Sequence, residues 1–258
     1  MIRRLKALTA PLVLRSLSRF VGRWNYEIRR RPSALLGGRD RELMPSLDLV
    51  LAHHLQTRPD VTFVQIGAFD GRQSDPLYQF ITRYHWRGVL VEPMPDAFAR
   101  LKEAYRNEPQ VILENVAIAQ SNGTKTLYHL RRGAPGLPTW APMLASFDRD
   151  VVLRHGAQIP GIADLIATTE VPCLSLASLL SQTGLGQCDL LQIDAEGWDY
   201  EILKLIDFTQ HKPAMINYEH AHLNQDDWDA AIGLLVRNGY RVGIGPYDTV
   251  AYLEASDR

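Results

Sequence analysis

Four apolar runs end on residues suited to chemistry. In "VTFVQIGAFDG", residues 61–71, the run breaks at Gly67, and Gly71 follows four residues later. Glycines at such a corner allow a tight turn and let a ligand approach the main chain more closely than any Cβ would permit. "GVLVEP", residues 88–93, stops at Glu92, twenty-five residues beyond Gly67, with Pro93 after it. A carboxylate there can accept hydrogen bonds from both vicinal hydroxyls of a ribose. "DLLQIDAEG", residues 189–197, closes on Asp194 and Glu196, and "INYEHAH", residues 216–222, closes on Glu219, His220 and His222.

The acids and histidines admit three readings. Glu219 or a histidine can act as general base toward a hydroxyl. Asp194 and Glu219 can instead hold Mg2+ or Mn2+, which lowers the pKa of a bound hydroxyl. Asp194 and Glu196 can also simply cap a helix that begins near Gly197. The corner itself is neither a dinucleotide GxGxxG, since Ala68-Phe69 stand where the middle glycine belongs, nor a phosphate-binding P-loop, since no GK[ST] follows.

The elements that must position these groups alternate. Continuous apolar stretches of strand length are separated by helical patterns over residues 76–84, 97–105, 200–206 and 228–238, and another helix is expected over 46–55. "VILENVAIA", residues 111–119, reads as a third strand, and residues 240–253 as a last strand or hairpin. Strands that are apolar throughout belong to a parallel sheet buried on both faces. The fold class is therefore α/β, doubly wound and Rossmann-like, with ligands outside the carboxyl ends of the strands.

Residues 131–170 interrupt the alternation and carry Pro135, Pro138, Pro142 and Pro160 with Trp140, Met143 and Phe147. A segment of that length suggests a binding insertion, its aromatics forming either an acceptor wall or ordinary packing. Asp199, Tyr200 and Glu201 read as a solvated first helical turn, and His53, His54, His129 and His155 as bystanders.

Of 258 residues, 46% are hydrophobic, enough for one substantial core, and the net charge of -1 gives no reason to expect nucleic acid as partner. Residues 1–41 nevertheless hold ten Arg and one Lys against Glu27 and Asp40, with Val13, Leu17, Phe20 and Trp24 at helical spacing. Residues 1–45 are thus expected to form a basic helical extension. It either contacts an anionic membrane surface peripherally or covers an edge of the core. Residues 46–258 form the main domain. Cys173 and Cys188 match no zinc or disulfide pattern, and with no spanning stretch or cleavable leader evident a cytoplasmic setting is expected.

"VQIGAFDG…SDPL", "VLVEPMP", "ENVAIA" and "DLLQIDAEGWDYEIL" closely resemble the S-adenosylmethionine-dependent methyltransferases of the FkbM type, in the expected order over residues 61–219. The resemblance implies the class I fold, a mostly parallel seven-stranded sheet with an antiparallel last strand. It assigns Gly67, Ala68 and Gly71 to the methionine side of the cofactor and Glu92 with Pro93 to the ribose. Asn115 and Val116 go to the adenine, and Asp194 to the donor's rim. The first-strand acid usual in this family is Gln65 here, so Gln65 or Asp70 is left to face the cofactor's ammonium. Glu196, Trp140 and His222 would then face the acceptor, with Asp194, Glu219 and His220 as the catalytic set.

The implied activity is O-methylation of a hydroxyl on a sugar, polyketide or other specialised metabolite. A nicotinamide-dependent oxidoreductase fits the sheet and Glu92 but not the missing glycine. A non-catalytic nucleoside-binding scaffold is the third reading.

Overall fold

The computed structural model describes residues 46–56 and 58–254. The basic extension expected over residues 1–45 lies outside them. Among the described residues no helix is long and apolar enough to cross a membrane.

After α1 (Leu47–Leu55), the chain alternates β1 (Thr62–Ile66), α2 (Tyr78–Tyr84), β2 (Arg87–Val91), α3 (Pro95–Ala104) and β3 (Val111–Glu114). Then come β4 (Ala117–Ile118), β5 (Gly123–Leu130), β6 (Ala145–Ser146), α4 (Arg149–Leu153), α5 (Ile162–Leu165), β7 (Ile166–Leu174) and α6 (Leu176–Thr183). The alternation resumes with β8 (Leu190–Ile193), α7 (Asp199–Leu203), β9 (Met215–Glu219) and α8 (Gln225–Arg237), and ends in β10 (Arg241–Ile244) and β11 (Asp248–Tyr252).

Seven strands form the main sheet in the order β10-β11-β9-β8-β1-β2-β3. Strands β3, β2, β1, β8 and β9 are mutually parallel, and β11 runs antiparallel to both β9 and β10. This is the doubly wound, mostly parallel class I methyltransferase architecture, with its last strand reversed as expected. Side chains alternate between two layers, as a pleated strand requires. Val64, Val89, Leu191 and Ile216 pack with α6, α7 and α8 on one face. Phe63, Leu90, Leu190 and Met215 pack with α1, α2 and α3 on the other. Leu190 is fully buried, so truncating it to Ala costs about 2–5 kcal/mol.

Two expectations need correction. "VILENVAIA" is not one strand: β3 ends at Glu114, and β4 joins a second sheet of order β4-β7-β5-β6. The segment 131–170 is also less irregular than its sequence suggests. Its end is the first half of β7, which pairs antiparallel with β5 from Leu130↔Ile166 to Gly123↔Cys173. These strands mix polar and apolar residues because only one face is covered, so they lack the continuous apolar signal of the main sheet.

Candidate functional site

A crevice of roughly 900 Å3, solvent at its mouth included, opens at the carboxyl ends of β1, β2 and β8. These ends are laced together. Gly67 and Ala68 donate their N–H groups to the Val91 carbonyl at 2.9 and 3.0 Å, and Asp194 N–H bonds the Ile66 carbonyl at 2.9 Å. Gly67 has φ +81, and a Cβ built on it would lie 1.7 Å from the Asp194 carbonyl oxygen. Only glycine fits. The corner is bare main chain because the neighbouring strand already occupies the space of a side chain.

Glu92 is 5% exposed. Its Oε2 accepts the Phe69 N–H and its Oε1 the Met94 N–H, both at 2.8 Å. These bonds fix the carboxylate while leaving lone pairs for hydroxyl donors. Burial nonetheless pushes its pKa up to about 7, against the pull of those two N–H groups. Asn115 Nδ2 donates to the Glu92 and Pro93 carbonyls at 2.8 and 3.1 Å, so it braces this turn instead of lining the crevice. Val116 and Pro93 do line it. Asp70 does not: its Oδ1 caps the Arg72 and Gln73 N–H groups and its Oδ2 stands 3.8 Å from Arg100.

Backbone strain gathers around this space. Phe69, Ser74 and Glu196 are three of the four non-glycine residues with positive φ among the described residues, and all three line the crevice. Each such conformation costs on the order of 1–3 kcal/mol and persists where the surroundings impose it.

In the loop after β8, Asp194 has an open face toward the crevice. Enclosure by protein elsewhere, then repulsion from Glu196, Asp199 and Asp248, raises its pKa well above the ordinary value. Asp199 was expected to be solvated. It is instead fully buried and accepts the Ala195 and Gly197 N–H groups at 3.4 and 3.3 Å. It therefore holds the 194–197 loop from beneath. Its pKa is pushed up to about 7 by burial, which those N–H bonds oppose. The second sheet grips the same loop from above, through Ser146 Oγ donating to the Glu196 carbonyl at 2.7 Å.

Beyond Asp194 lies a second cluster. His222 Nε2 sits 3.0 Å from Glu196 Oε2 and 3.7 Å from Glu219 Oε1. Burial first, then the charges of Asp194 and Glu196, raises the Glu219 pKa well above its ordinary value. The His155 ring lies 5.2 Å from His222 and 5.0 Å from Trp140, so a row of rings leads outward from the acids. Met143 and Phe147 line the cofactor-sized crevice with Ala145 and Leu127, forming its roof, whereas Trp140 belongs to the ring row.

His220 is turned away. It is 4% exposed, stacked 4.2 Å from Trp228, with Nδ1 2.9 Å from Thr249 Oγ1. Sequence reasoning missed Asp199, Asp75 and Ser146, and it discounted His155. Nothing local marks Asp199 or Ser146, whose roles depend on a loop folded back over them.

The profile of the Methyltransferase FkbM domain matches residues 65–242, more than half of the chain. The chain belongs to the FkbM methyltransferase family. Membership makes S-adenosylmethionine the implied methyl donor. No curated protein matches the sequence. Among solved structures, this FkbM-family chain is similar to an FkbM methyltransferase from Methylobacillus flagellatus KT. The identity is 14%, covering 88% of this chain and 48% of that one, with a TM-score of 0.48. The chain thus spans about half the length of that protein. It is also similar to a putative O-methyltransferase from Klebsiella pneumoniae, at 11% identity over 93% and 97% of the two chains, with a TM-score of 0.39. A precorrin-6y C5,15-methyltransferase from Geobacter metallireducens matches at 14% identity over 82% and 91%, again with a TM-score of 0.39. At those scores the likenesses carry no argument about chemistry; the family assignment rests on the domain match.

Proposed function

We propose that this FkbM-family chain moves a methyl group from S-adenosylmethionine to a hydroxyl oxygen of a small molecule or glycan. The observation that carries the reading is the meeting of Glu196, Glu219 and His222 beside Asp194, at the acceptor end of the crevice. The donor suits the crevice on three counts: the bare corner at Gly67, the fixed Glu92 carboxylate, and acids complementary to a positively charged ligand.

When bound, the donor would supply an electrophilic methyl on a cationic sulfur able to leave as a neutral thioether, and the Gly67 corner, Glu92 and Asp194 are the residues that would hold it. His222, its Nε2–H turned to the acids, receives the acceptor hydroxyl's proton on its other ring nitrogen, and Glu196 and Glu219 stabilise the resulting imidazolium. Asp194 orients the donor at the β8 end, and the tilted rings of Trp140 and His155 supply an aromatic wall for the acceptor. His220, packed under Trp228, takes no part.

A second reading has one observation in its favour. One ligand atom each from Glu196, Glu219 and His222 lies within 4.8 Å of the others, a set able to hold Mg2+ or Mn2+. This set differs from the Asp194–Glu219 pair expected from sequence. The ion would acidify and orient the acceptor hydroxyl. Abolition of methyl transfer by a chelator, with recovery on adding Mn2+, favours the ion; indifference favours the base.

The donor reading is tested by calorimetric titration with S-adenosylhomocysteine and with NAD. Binding of the former supports it, and binding of NAD alone ends it. The basic extension remains a proposal for an anionic membrane surface, checked by liposome sedimentation with residues 1–40 removed.

A further inference from the structure

The methionine end of the crevice holds two oxygens with no hydrogen-bond partner. Gln65 is 3% exposed and its Oε1 is unpaired; Asp75 Oδ2, also shielded from solvent, is unpaired as well. Both residues line the crevice beside Gly67 and Ala68. Leaving a buried acceptor unsatisfied costs about 1–3 kcal/mol, more when it is charged, and two together on one cavity wall call for a donor that arrives with the ligand.

Asp75's other oxygen is already used. Oδ1 accepts the Leu77 and Tyr78 N–H groups at 2.7 and 3.1 Å, which fixes the carboxyl at the entry to α2 and leaves Oδ2 without a well-aligned donor. Burial raises the Asp75 pKa; the Leu77 and Tyr78 N–H groups oppose this, as do the Tyr105 hydroxyl and the Gln65 amide that lies against Asp75. A cation placed between them would relieve that penalty. Tyr105's hydroxyl is also near Asp75 but forms no well-aligned bond.

We infer that Asp75 Oδ2 and Gln65 Oε1 together bind the ammonium group of the donor's amino-acid tail, Asp75 supplying the carboxylate that the β1 end lacks. Gln65 alone cannot offer a charge. Asp70, the other acid of the corner, spends Oδ1 on the Arg72 and Gln73 N–H groups and faces Arg100. The loop after Gly71 has therefore moved the negative charge from the strand end to a residue ten positions after Gln65. The inference rests on the donor reading above.

The test uses S-adenosylhomocysteine and its deamino analogue, in which hydrogen replaces the amino group, titrated into wild type and Asp75→Asn. Asparagine keeps the Oδ1 cap on α2 but loses the charge. Wild type should prefer the amino form at least tenfold, and Asp75→Asn should lose most of that preference while binding the deamino analogue within about twofold of wild type. An unchanged preference in Asp75→Asn overturns the assignment. So does equal weakening of both ligands, which would make Asp75 merely structural. If wild type binds neither ligand, the donor reading falls along with this one.

Discussion

Replacing Gly67 with Ala tests the claim on which the crevice depends. The new methyl would start 1.7 Å from the Asp194 carbonyl oxygen and must reach at least 3.0 Å, so the ends of β1 and β8 have to part. Their separation strains the 2.9 Å bond from Asp194 N–H to the Ile66 carbonyl. One such bond is worth about 0.5–1.5 kcal/mol, and alanine at φ +81 adds about 1–2 kcal/mol of left-handed strain. A loss of about 1.5–3.5 kcal/mol in stability is expected, read by urea unfolding. S-adenosylhomocysteine affinity should fall at least a hundredfold, because Asp194 and the corner shift together. Gly186→Ala, where no atom lies within 4 Å of the new methyl, is the control and should change neither quantity. If Gly67→Ala unfolds within 0.5 kcal/mol of wild type, about the scatter of an ordinary surface substitution, and binds normally, the close strand contact is not what shapes the site.

His222→Gln should retain S-adenosylhomocysteine binding while methyl transfer drops by about 10²–10⁴-fold, measured as product formation under saturating donor. Asp70→Asn should leave S-adenosylhomocysteine affinity within twofold, since Asp70 caps its own turn. Burial raises the Asp199 carboxyl from 3.8 to about 7 and the Glu92 carboxyl from 4.5 to about 7. Between the unfolded and folded values the native state holds more protons. Their contribution to stability is therefore full in acid and is lost as pH rises toward 7. Asp199→Asn should flatten this dependence by about 1.4 kcal/mol per pH unit between pH 5 and 7, read by urea unfolding at each pH.

The main sheet was legible because its strands are buried on both faces. Runs such as "VTFVQI" and "CDLLQI" carry that fact residue by residue, and the helical periods between them give the winding. The second sheet was not legible. β5 and β7 are one-faced strands, and their pairing joins positions as far apart as Gly123 and Cys173. The crevice corner was readable from Gly67 and Glu92, since a glycine at a strand end and an acid at the next one are local features. Asp75 escaped notice because its free oxygen is defined by a cavity wall and not by its neighbours in sequence.

Sequence by itself determined the order of the main-sheet strands and their helices, the family, and which of those strand ends hold acids and glycines, because each depends on short-range pattern. Tertiary structure decided which of those groups meet. It buried His220 against Trp228 and brought His222 to Glu196, turned Asp199 from a surface residue into the support of a loop, and roofed the crevice with Met143 and Phe147. Such meetings depend on how separate elements pack, and a side chain two positions along a loop can end on the opposite side of the sheet rim.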